Sequence, residues 1–224
     1  ANLVSAGGND AFILKLDGSG NYLWARRVGS TGSFDIGQAV TLDATGNVLV
    51  TGSFDGTVDF DPGASVSNLT TAGAQDVFVL SLTASGNFAW ARNMGGTSTD
   101  SGIDIITDAS RNVYTIGRYR LTADFDPGSG TFNLTTGNNT QMFMSKLDAN
   151  GDFLWALSTQ SAAGSTEARA MSFDASGNLI LAGYFDGGTV DFDPGVCVAE
   201  LTAAFVGGYV IKLNPTSIPG CGPA

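Results

Sequence analysis

The 224-residue sequence has no histidine and few cysteines or glutamates, and each shortage excludes a class of chemistry. Without histidine, the Ser-His and Cys-His pairs that activate a nucleophile cannot form, and two cysteines alone are too few for a zinc site. The two glutamates, Glu167 and Glu200, share no local motif, and no glycine-rich phosphate loop follows a strand and opens a helix. Paired aspartates could serve a glycosidase, but the aspartates lie mostly in repeated turns. We therefore predict that the protein is not an enzyme.

Basic residues are also scarce, since 10 Lys and Arg stand against 21 Asp and Glu and give a net charge of −11. Such a chain lacks the basic face that phosphate binding requires, which excludes nucleic acid and disfavours anionic membrane surfaces. No apolar run approaches the roughly 20 residues that span a bilayer, so membrane insertion is not expected. The acidic surface is compatible with divalent cations, or simply with solubility outside a cell.

Glycine is abundant, with 31 residues placed mostly between short runs rich in Val, Ile, Leu, Phe and Thr. This composition is typical of many short strands joined by tight turns, with helices nearly absent. No charged-then-apolar leader precedes the first strand, and a start at Ala1 fits either a processed mature chain or a fragment.

Three unrelated features recur with one period of about 65 residues, so the chain is a tandem repeat. They are a tryptophan at Trp24, Trp90 and Trp155, the pentapeptide Asp-Phe-Asp-Pro-Gly starting at Asp59, Asp124 and Asp191, and the asparagine of an Asp-x-x-x-Asn turn at Asn47, Asn112 and Asn178. In the middle turn Arg111 replaces the glycine of the other two copies, which predicts a strained or differently shaped turn.

Each repeat divides into four short strands in antiparallel succession. One strand begins at Phe12 and returns at Phe78, Phe143 and Val210, and the next strand passes through the tryptophan. We predict an all-β fold of tandem four-stranded antiparallel blades, of the β-propeller kind. Residues 1–213 form a single domain with repeats of approximately 1–63, 64–128 and 129–195 and a partial repeat 196–213, and residues 214–224 form a tail rich in Pro and Gly.

The motifs resemble the bacterial β-propeller repeats of the SBBP type. That pattern combines Asp-x-Phe-x-x-Lys-Leu-Asp, Gly-Asn-x-x-Trp, a Gly/Asp loop, Asp-x-x-Gly-Asn and x-Tyr-Val-x-Gly. It is matched here by residues 10–17, 20–24, Gly95–Gly96 with Asp100, and 112–117. The resemblance covers nearly the whole chain and implies a radial propeller with a central channel. It implies no particular activity, because such repeats occur in many large secreted and surface proteins and a fold does not fix a function.

Assigned to blades, the strands number two, four, four and three, so the first and last blades are incomplete. Known propellers close with about four to eight blades, and one chain should therefore not close a ring alone. The chain is then a piece of a larger propeller, or two chains together make roughly seven blades, or the N-terminal pair of one chain completes the C-terminal blade of the next. A head-to-tail contact of that kind gives a ring, or a filament if the rotation does not close. We expect self-association to cover the edge strands.

The Asp-Phe-Asp-Pro-Gly copies are candidate Ca²⁺ sites, because in an extended segment both carboxylates project to one side and the phenylalanine to the other. Two carboxylates with nearby carbonyl oxygens form part of a Ca²⁺ shell. The candidate ligands are Asp59 and Asp61 with Asp55, Asp191 and Asp193 with Asp186, and, more weakly because Arg120 lies nearby, Asp124 and Asp126. The alternative is a Pro-Gly β-turn with aspartate at its first position, and the two interpretations are compatible.

Trp24, Trp90 and Trp155 hold the same place in each repeat, which favours packing between blades over a stacking ladder for glycans. Cys197 and Cys221 are expected to form a disulfide that pins the tail and stabilises the fold by about 3 kcal/mol. Such a bond implies an oxidising compartment. Two free thiols are the alternative.

These features predict a secreted structural or surface-assembly protein, extracellular or on a bacterial cell surface. Its terminal blades would be completed by neighbouring subunits in an oligomer or a filament, and no cofactor other than Ca²⁺ is expected. One alternative is a Ca²⁺-dependent adhesin or a module that binds an extracellular glycan or protein. Another is a fragment of a larger propeller.

Overall fold

The computed structural model describes residues 2–32, 34–161, 164–193 and 199–215, which form sixteen β-strands and no helix. Within these residues there is accordingly no helix of the length and apolarity needed to cross a membrane. The strands are β1 (Ala11–Leu16), β2 (Tyr22–Val28), β3 (Ile36–Leu42), β4 (Val48–Asp59), β5 (Asn68–Leu82), β6 (Phe88–Gly96), β7 (Ser101–Thr107), β8 (Val113–Tyr119), β9 (Thr122–Asp124), β10 (Asn133–Thr135), β11 (Gln141–Leu147), β12 (Phe153–Ser158), β13 (Gln160–Ser161), β14 (Ser165–Phe173), β15 (Leu179–Asp191) and β16 (Glu200–Leu213).

Thirteen of the strands form four antiparallel blades, which confirms the predicted all-β fold with incomplete terminal blades. The first blade is β1 and β2, the second runs from β3 to β6, the third contains β7, β8, β11 and β12, and the fourth contains β14, β15 and β16. The remaining strands are short, and β9 pairs with the outer strand β6 of the preceding blade. The blades formed by the described residues do not close into a ring, and apolar side chains of the first and fourth blades therefore remain exposed.

Neighbouring blades stack face to face, and one buried apolar cluster fills each of the three junctions. Alternation along a strand sends successive side chains to opposite neighbours. On β5, Phe78 and Leu80 pack towards the first blade, whereas Val77 and Val79 pack towards the third. Each complete blade therefore has one face that meets the preceding blade and another that meets the following blade.

The second and third strands of each later blade form longer hairpins than the repeat pattern predicts. β4 and β5 continue past a bulge to the first Asp-Phe-Asp-Pro-Gly copy, and β15 and β16 do the same at the third copy. The phenylalanine of the motif then folds back onto two aromatic rings of its own blade. The ring centroids are 5.2 and 5.2 Å apart for Phe54, Phe60 and Phe78, 5.4 and 4.7 Å apart for Tyr119, Phe125 and Phe143, and 5.7 and 4.5 Å apart for Phe185, Phe192 and Tyr209.

The turn at Arg111 has the same shape as its glycine-containing counterparts, so a different shape was the wrong alternative. Asp108 Oδ1 accepts hydrogen bonds from the backbone N–H groups of Ser110 and Asn112, both at 2.9 Å. Arg111 itself takes a φ of 65°. A side chain in this left-handed region costs about 1–2 kcal/mol, which is the strain that the substitution predicts.

The third blade buries two hydroxyl groups in positions where other blades carry aliphatic side chains. Thr115 and Ser145 are cross-strand partners and fully buried, and their hydroxyl oxygens make no hydrogen bond to any described residue. The repeat places Val50 and Leu80 at the matching positions of the second blade. The hydroxyl pair therefore leaves polar atoms unpaired in an apolar junction.

Replacing Thr115 by valine is expected to raise the free energy of unfolding by about 1 kcal/mol, because it removes a buried unpaired hydroxyl without changing the branching of the side chain. Thr51→Val is the matched control, since the equally buried Thr51 hydroxyl donates to the carbonyl of Phe78 at 2.8 Å. That change should lower stability by about 1 kcal/mol. Urea titrations of both variants measure the difference, and destabilisation by Thr115→Val would show that its hydroxyl is satisfied.

Candidate functional site

The first two Asp-Phe-Asp-Pro-Gly copies form closed turns held by the first aspartate. Asp59 Oδ1 accepts hydrogen bonds from the backbone N–H groups of Asp61, at 3.0 Å, and Ser67, at 2.8 Å. Asp61 Oδ1 in turn accepts from the N–H of Gly63 at 2.7 Å. The same pattern recurs where Asp124 accepts from Asp126 and Phe132, and where Asp191 accepts from Asp193 and Ala199. One oxygen of each first aspartate therefore accepts two backbone hydrogen bonds.

The upstream aspartates lie on the hairpins rather than at their tips. Asp55 lies on β4 opposite Gln75 of β5, and its backbone N–H donates to the carboxylate of Asp35. Asp186 accepts a 2.6 Å hydrogen bond from the backbone N–H of Ser165 and so joins β15 to β14. Within the described residues, no three acidic, histidine or cysteine side chains are grouped to hold a metal ion. Ca²⁺ binding at these turns stays a prediction.

Trp24 and Trp90 lie where the outer strand of one blade meets a turn of the next. Trp24 Nε1 donates to the carbonyl of Ala84 and Trp90 Nε1 donates to that of Ala149, both at 3.2 Å. An arginine two residues later reinforces each contact, as Arg92 does by donating to the carbonyl of Gly151 at 2.9 Å. Trp155 is buried 6.0 Å from the ring of Tyr114.

Cys197 and Cys221 lie outside the described residues, as does the tail from residue 216 onward. The disulfide between them stays a prediction.

Polar pairs at the junctions between blades were not singled out from the sequence, although their spacing follows the repeat. The first members are Asp10, Asp76 and Gln141, and the second members are Asp35, Asp100 and Thr166. The backbone N–H of each second member donates to the carbonyl of the residue that precedes the first member. The repeat period alone would have found them, because both series recur every 65 or 66 residues.

The three pairs differ in charge compensation. Burial opposes the ionisation of Asp10, but hydrogen bonds from Ala6 and Arg27 outweigh burial and lower its pKa. At the place of Arg27 the second copy has Asn93, and burial raises the pKa of the Asp76 carboxyl. Burial also raises the pKa of Asp100 to about 6, helped by the neighbouring charge of Asp76.

The third copy of the pair is neutral. Gln141 Oε1 accepts hydrogen bonds from the hydroxyl groups of Thr159 and Thr166, both at 3.1 Å. The same structural position therefore tolerates either two carboxylates or an amide with hydroxyls. In all three copies the polar pair joins the third strand of one blade to the inner strand of the next blade.

The face of the first blade that points away from the second blade is apolar and open. Phe12 on β1 is 70% exposed, whereas Phe78 and Phe143, at the same repeat position, are 1% and 0% exposed. Leu14 and Leu16 are about half exposed, whereas their counterparts on β5 are fully buried. A hollow of about 590 Å³ lies over this face, lined by Leu3, Val4, Ser5, Gly8, Asn9, Asp10, Phe12, Leu14, Tyr22, Ala25 and Arg27.

The fourth blade has an open face of the opposite kind. Val210 on β16 is 72% exposed, whereas Val79 and Met144, at the same repeat position, are fully buried against a following blade. The outer edge of β16 also pairs with no strand formed by the described residues. The chain thus presents one face that fits a preceding blade and one that fits a following blade.

Comparison with known proteins finds two distant relatives. No family model matches the sequence. Over 193 residues, 76% of the chain, it is 25% identical to an uncharacterized WD repeat-containing protein of Acanthamoeba polyphaga mimivirus. Over 125 residues, 54% of the chain, it is 26% identical to the regulatory protein FlaEY of Caulobacter vibrioides. The matches cover 14% and 13% of these relatives, so the chain spans about a seventh of their length. The first similarity agrees with the β-propeller-like blades of the structure.

Proposed function

We propose that the chain is a non-catalytic scaffold that associates with copies of itself through the open faces of its first and fourth blades. One observation carries the proposal, namely that equivalent repeat positions are buried inside the array and exposed at its ends. Phe12 is 70% exposed and Val210 is 72% exposed, while their counterparts in the second and third blades are at most 1% exposed.

The junctions between blades inside the chain show what kind of surface would cover each open face. In the second blade, the equivalents of Phe12 and Leu14 are covered by the following face of a preceding blade. The fourth blade presents such a face, with Val210 on β16. Burying each large apolar side chain contributes about 1.5–3 kcal/mol. A second copy, joined head to tail, is therefore the partner whose surface matches both open faces.

The blade count limits the assembly. Closed propellers contain about four to eight blades, and the chain contains four complete or partial blades. Two copies stacked through both pairs of faces would form a closed dimer, whereas a rotation that does not close would extend into a filament. In a longer polypeptide, additional blades of the same chain would cover the same faces.

The proposal also includes four features that were predicted from the sequence. They are the SBBP type of repeat, a bacterial source, an extracellular or cell-surface location and the disulfide between Cys197 and Cys221. The low content of basic residues and the net charge of −11 support a partner other than nucleic acid.

Sedimentation velocity over a range of protein concentrations, with and without Ca²⁺, tests the assembly. We expect a dimer or longer species for the unmodified chain and a monomer for Phe12→Asp or Val210→Asp, because either charge would be buried in the contact. Val66→Asp is the matched control, since Val66 is 71% exposed but lies in a hairpin loop away from both faces. It should leave the assembly unchanged.

Mixing the two interface variants distinguishes a head-to-tail contact from a symmetric one. Phe12→Asp retains an intact fourth-blade face and Val210→Asp retains an intact first-blade face, so a mixture should form a one-to-one complex with a single junction. Symmetric contacts would not give this complementation. An unmodified chain that stays monomeric at every concentration would overturn the proposal, and the intact mass of the natural protein would then show whether further blades cover the faces.

A further inference from the structure

We propose that Arg118 and Arg169 form a binding site for a small oxyanion, carboxylate or phosphate, at the junction of the third and fourth blades. The two arginines lie on β8 and β14 and share one carboxylate, that of Glu167 on β14. Two guanidinium groups thus meet at one carboxylate, on a chain whose net charge is −11. This site does not depend on the proposed self-association.

Glu167 forms ion pairs with both arginines but satisfies the hydrogen-bonding groups of neither. Arg118 Nη1 lies 3.4 Å from Glu167 Oε1, a long contact for a charged hydrogen bond. Arg169 Nη2 lies 2.9 Å from Oε2, but this buried oxygen accepts no hydrogen bond from the described residues. Neither guanidinium therefore makes the paired, parallel hydrogen bonds that arginine forms with a well-matched carboxylate. Both side chains remain accessible to a ligand, since they are 42% and 53% exposed.

Arg169 is held in position by Tyr184 on β15 as well as by Glu167. Its guanidinium lies 5.2 Å from the centre of the Tyr184 ring, and Nη2 donates to the Tyr184 hydroxyl oxygen at 3.1 Å. Arg169 is also the extra residue of a bulge, because the pairing register of β14 with β15 shifts between Ala168 and Ala170. Bulges redirect a side chain and are common beside functional sites. The arginine is thus fixed before any ligand binds.

The charged residues depart from the repeat, which separates them from the shared framework. At the junction of the second and third blades, Ser53 stands at the place of Arg118, Ser101 at the place of Glu167 and Ile103 at the place of Arg169. Blade packing is maintained at the other junctions without these charges. Other arginines serve the framework, as Arg92 does by donating to a turn of the following blade.

Titration with inorganic phosphate and, separately, with succinate tests the site, using protein-observed NMR shifts at low ionic strength with chloride as the reference anion. We expect saturable shifts centred on β8 and β14, and at least a fivefold weaker affinity in Arg118→Gln and in Arg169→Gln. Comparing phosphate with succinate separates a phosphoryl from a carboxylate source. Both anions should compete with one another, because they would share the same guanidinium groups.

Arg111→Gln is the matched control, because Arg111 lies in an exposed turn outside the Arg118–Glu167–Arg169 cluster. This variant should bind phosphate as the unmodified protein does. If all three substitutions weaken anion binding equally, binding depends on the overall charge of the protein and not on this site. If binding of no anion saturates, the three residues form a structural ion cluster only. Either result would overturn the proposal. Tyr184→Phe retains the ring but removes the hydroxyl acceptor, and it should weaken binding less than Arg169→Gln.

Discussion

Phe143→Ala is expected to lower the free energy of unfolding by about 3–5 kcal/mol, which is the usual cost of deleting a large aromatic side chain from a packed core. The Phe143 ring is fully buried and its centroid lies 4.7 Å from that of Phe125. It also covers Gly117 on the paired strand, where an added Cβ would come within 2.6 Å of the ring. The substitution therefore removes the ring that joins the hairpin tip, the central strands and the preceding blade.

Phe12→Ala is the control at the same position of the repeat. Its ring is 70% exposed in the chain by itself, so the change should cost less than about 0.5 kcal/mol in a dilute monomeric sample. If the first-blade face is covered by a second copy, the cost should grow with protein concentration. Chemical denaturation at two concentrations measures both effects. A loss of stability at Phe143 no larger than that at Phe12 would contradict the assignment of the two positions to buried and open faces.

The repeat and the blade count could be predicted from the sequence because they depend on local features. Tryptophan, the Asp-Phe-Asp-Pro-Gly motif and the Asp-x-x-x-Asn turn each specify a strand or turn by nearby residues, and their common period then orders the strands. The turn at Asp43 illustrates this, since its carboxylate accepts hydrogen bonds from the backbone of Thr45 and Asn47. Such contacts span only four residues.

The contacts that hold the hairpin tips could not be predicted in the same way. Phe60 packs against Phe78, which follows it by 18 residues, only because β4 and β5 extend past a bulge and fold the tip back. The repeated motif showed that the phenylalanine mattered, but its partner depends on the path of the hairpin. The aspartate of the motif was considered for its charge, whereas its main visible role is to accept backbone hydrogen bonds within the turn.

The open blade faces and the arginine cluster also differ in how far the sequence predicts them. The open faces of the first and fourth blades agree with the strand count made from the sequence. The arginine cluster does not follow from the repeat, since Arg118 and Glu167 are 49 residues apart and both interrupt the pattern. Only the stacking of the third blade on the fourth brings their side chains together.

The Asp76–Asp100 pair should make the protein more stable as the pH falls from 7.5 to 5. Burial raises the pKa of Asp100 to about 6, and the folded chain therefore binds this proton more tightly than the unfolded chain, whose carboxyl has a pKa of 3.8. Stability consequently rises as the pH falls through 6 and stops rising below the unfolded pKa. The expected gain between pH 7.5 and 5 is about 1 kcal/mol from Asp100. Burial raises the pKa of Asp76 as well, which acts in the same direction.

Asp76→Asn should raise stability at pH 7.5 and reduce the gain on acidification, because it removes one of two neighbouring buried charges. The change is tolerable by geometry, since the oxygen of asparagine can still accept from the N–H of Ala72, which donates to Asp76 Oδ2 at 2.9 Å. Asp152→Asn is the control, because that carboxylate is 71% exposed and should leave the profile unchanged. Urea denaturation at several pH values between 5 and 7.5 gives the profile. Carboxylates whose pKa is lowered, such as Asp10 and Asp43, lose their contribution to stability only below about pH 4. If Asp76→Asn leaves the gain in stability between pH 7.5 and 5 unchanged, that gain arises from other groups and the assignment to the Asp76–Asp100 pair is wrong.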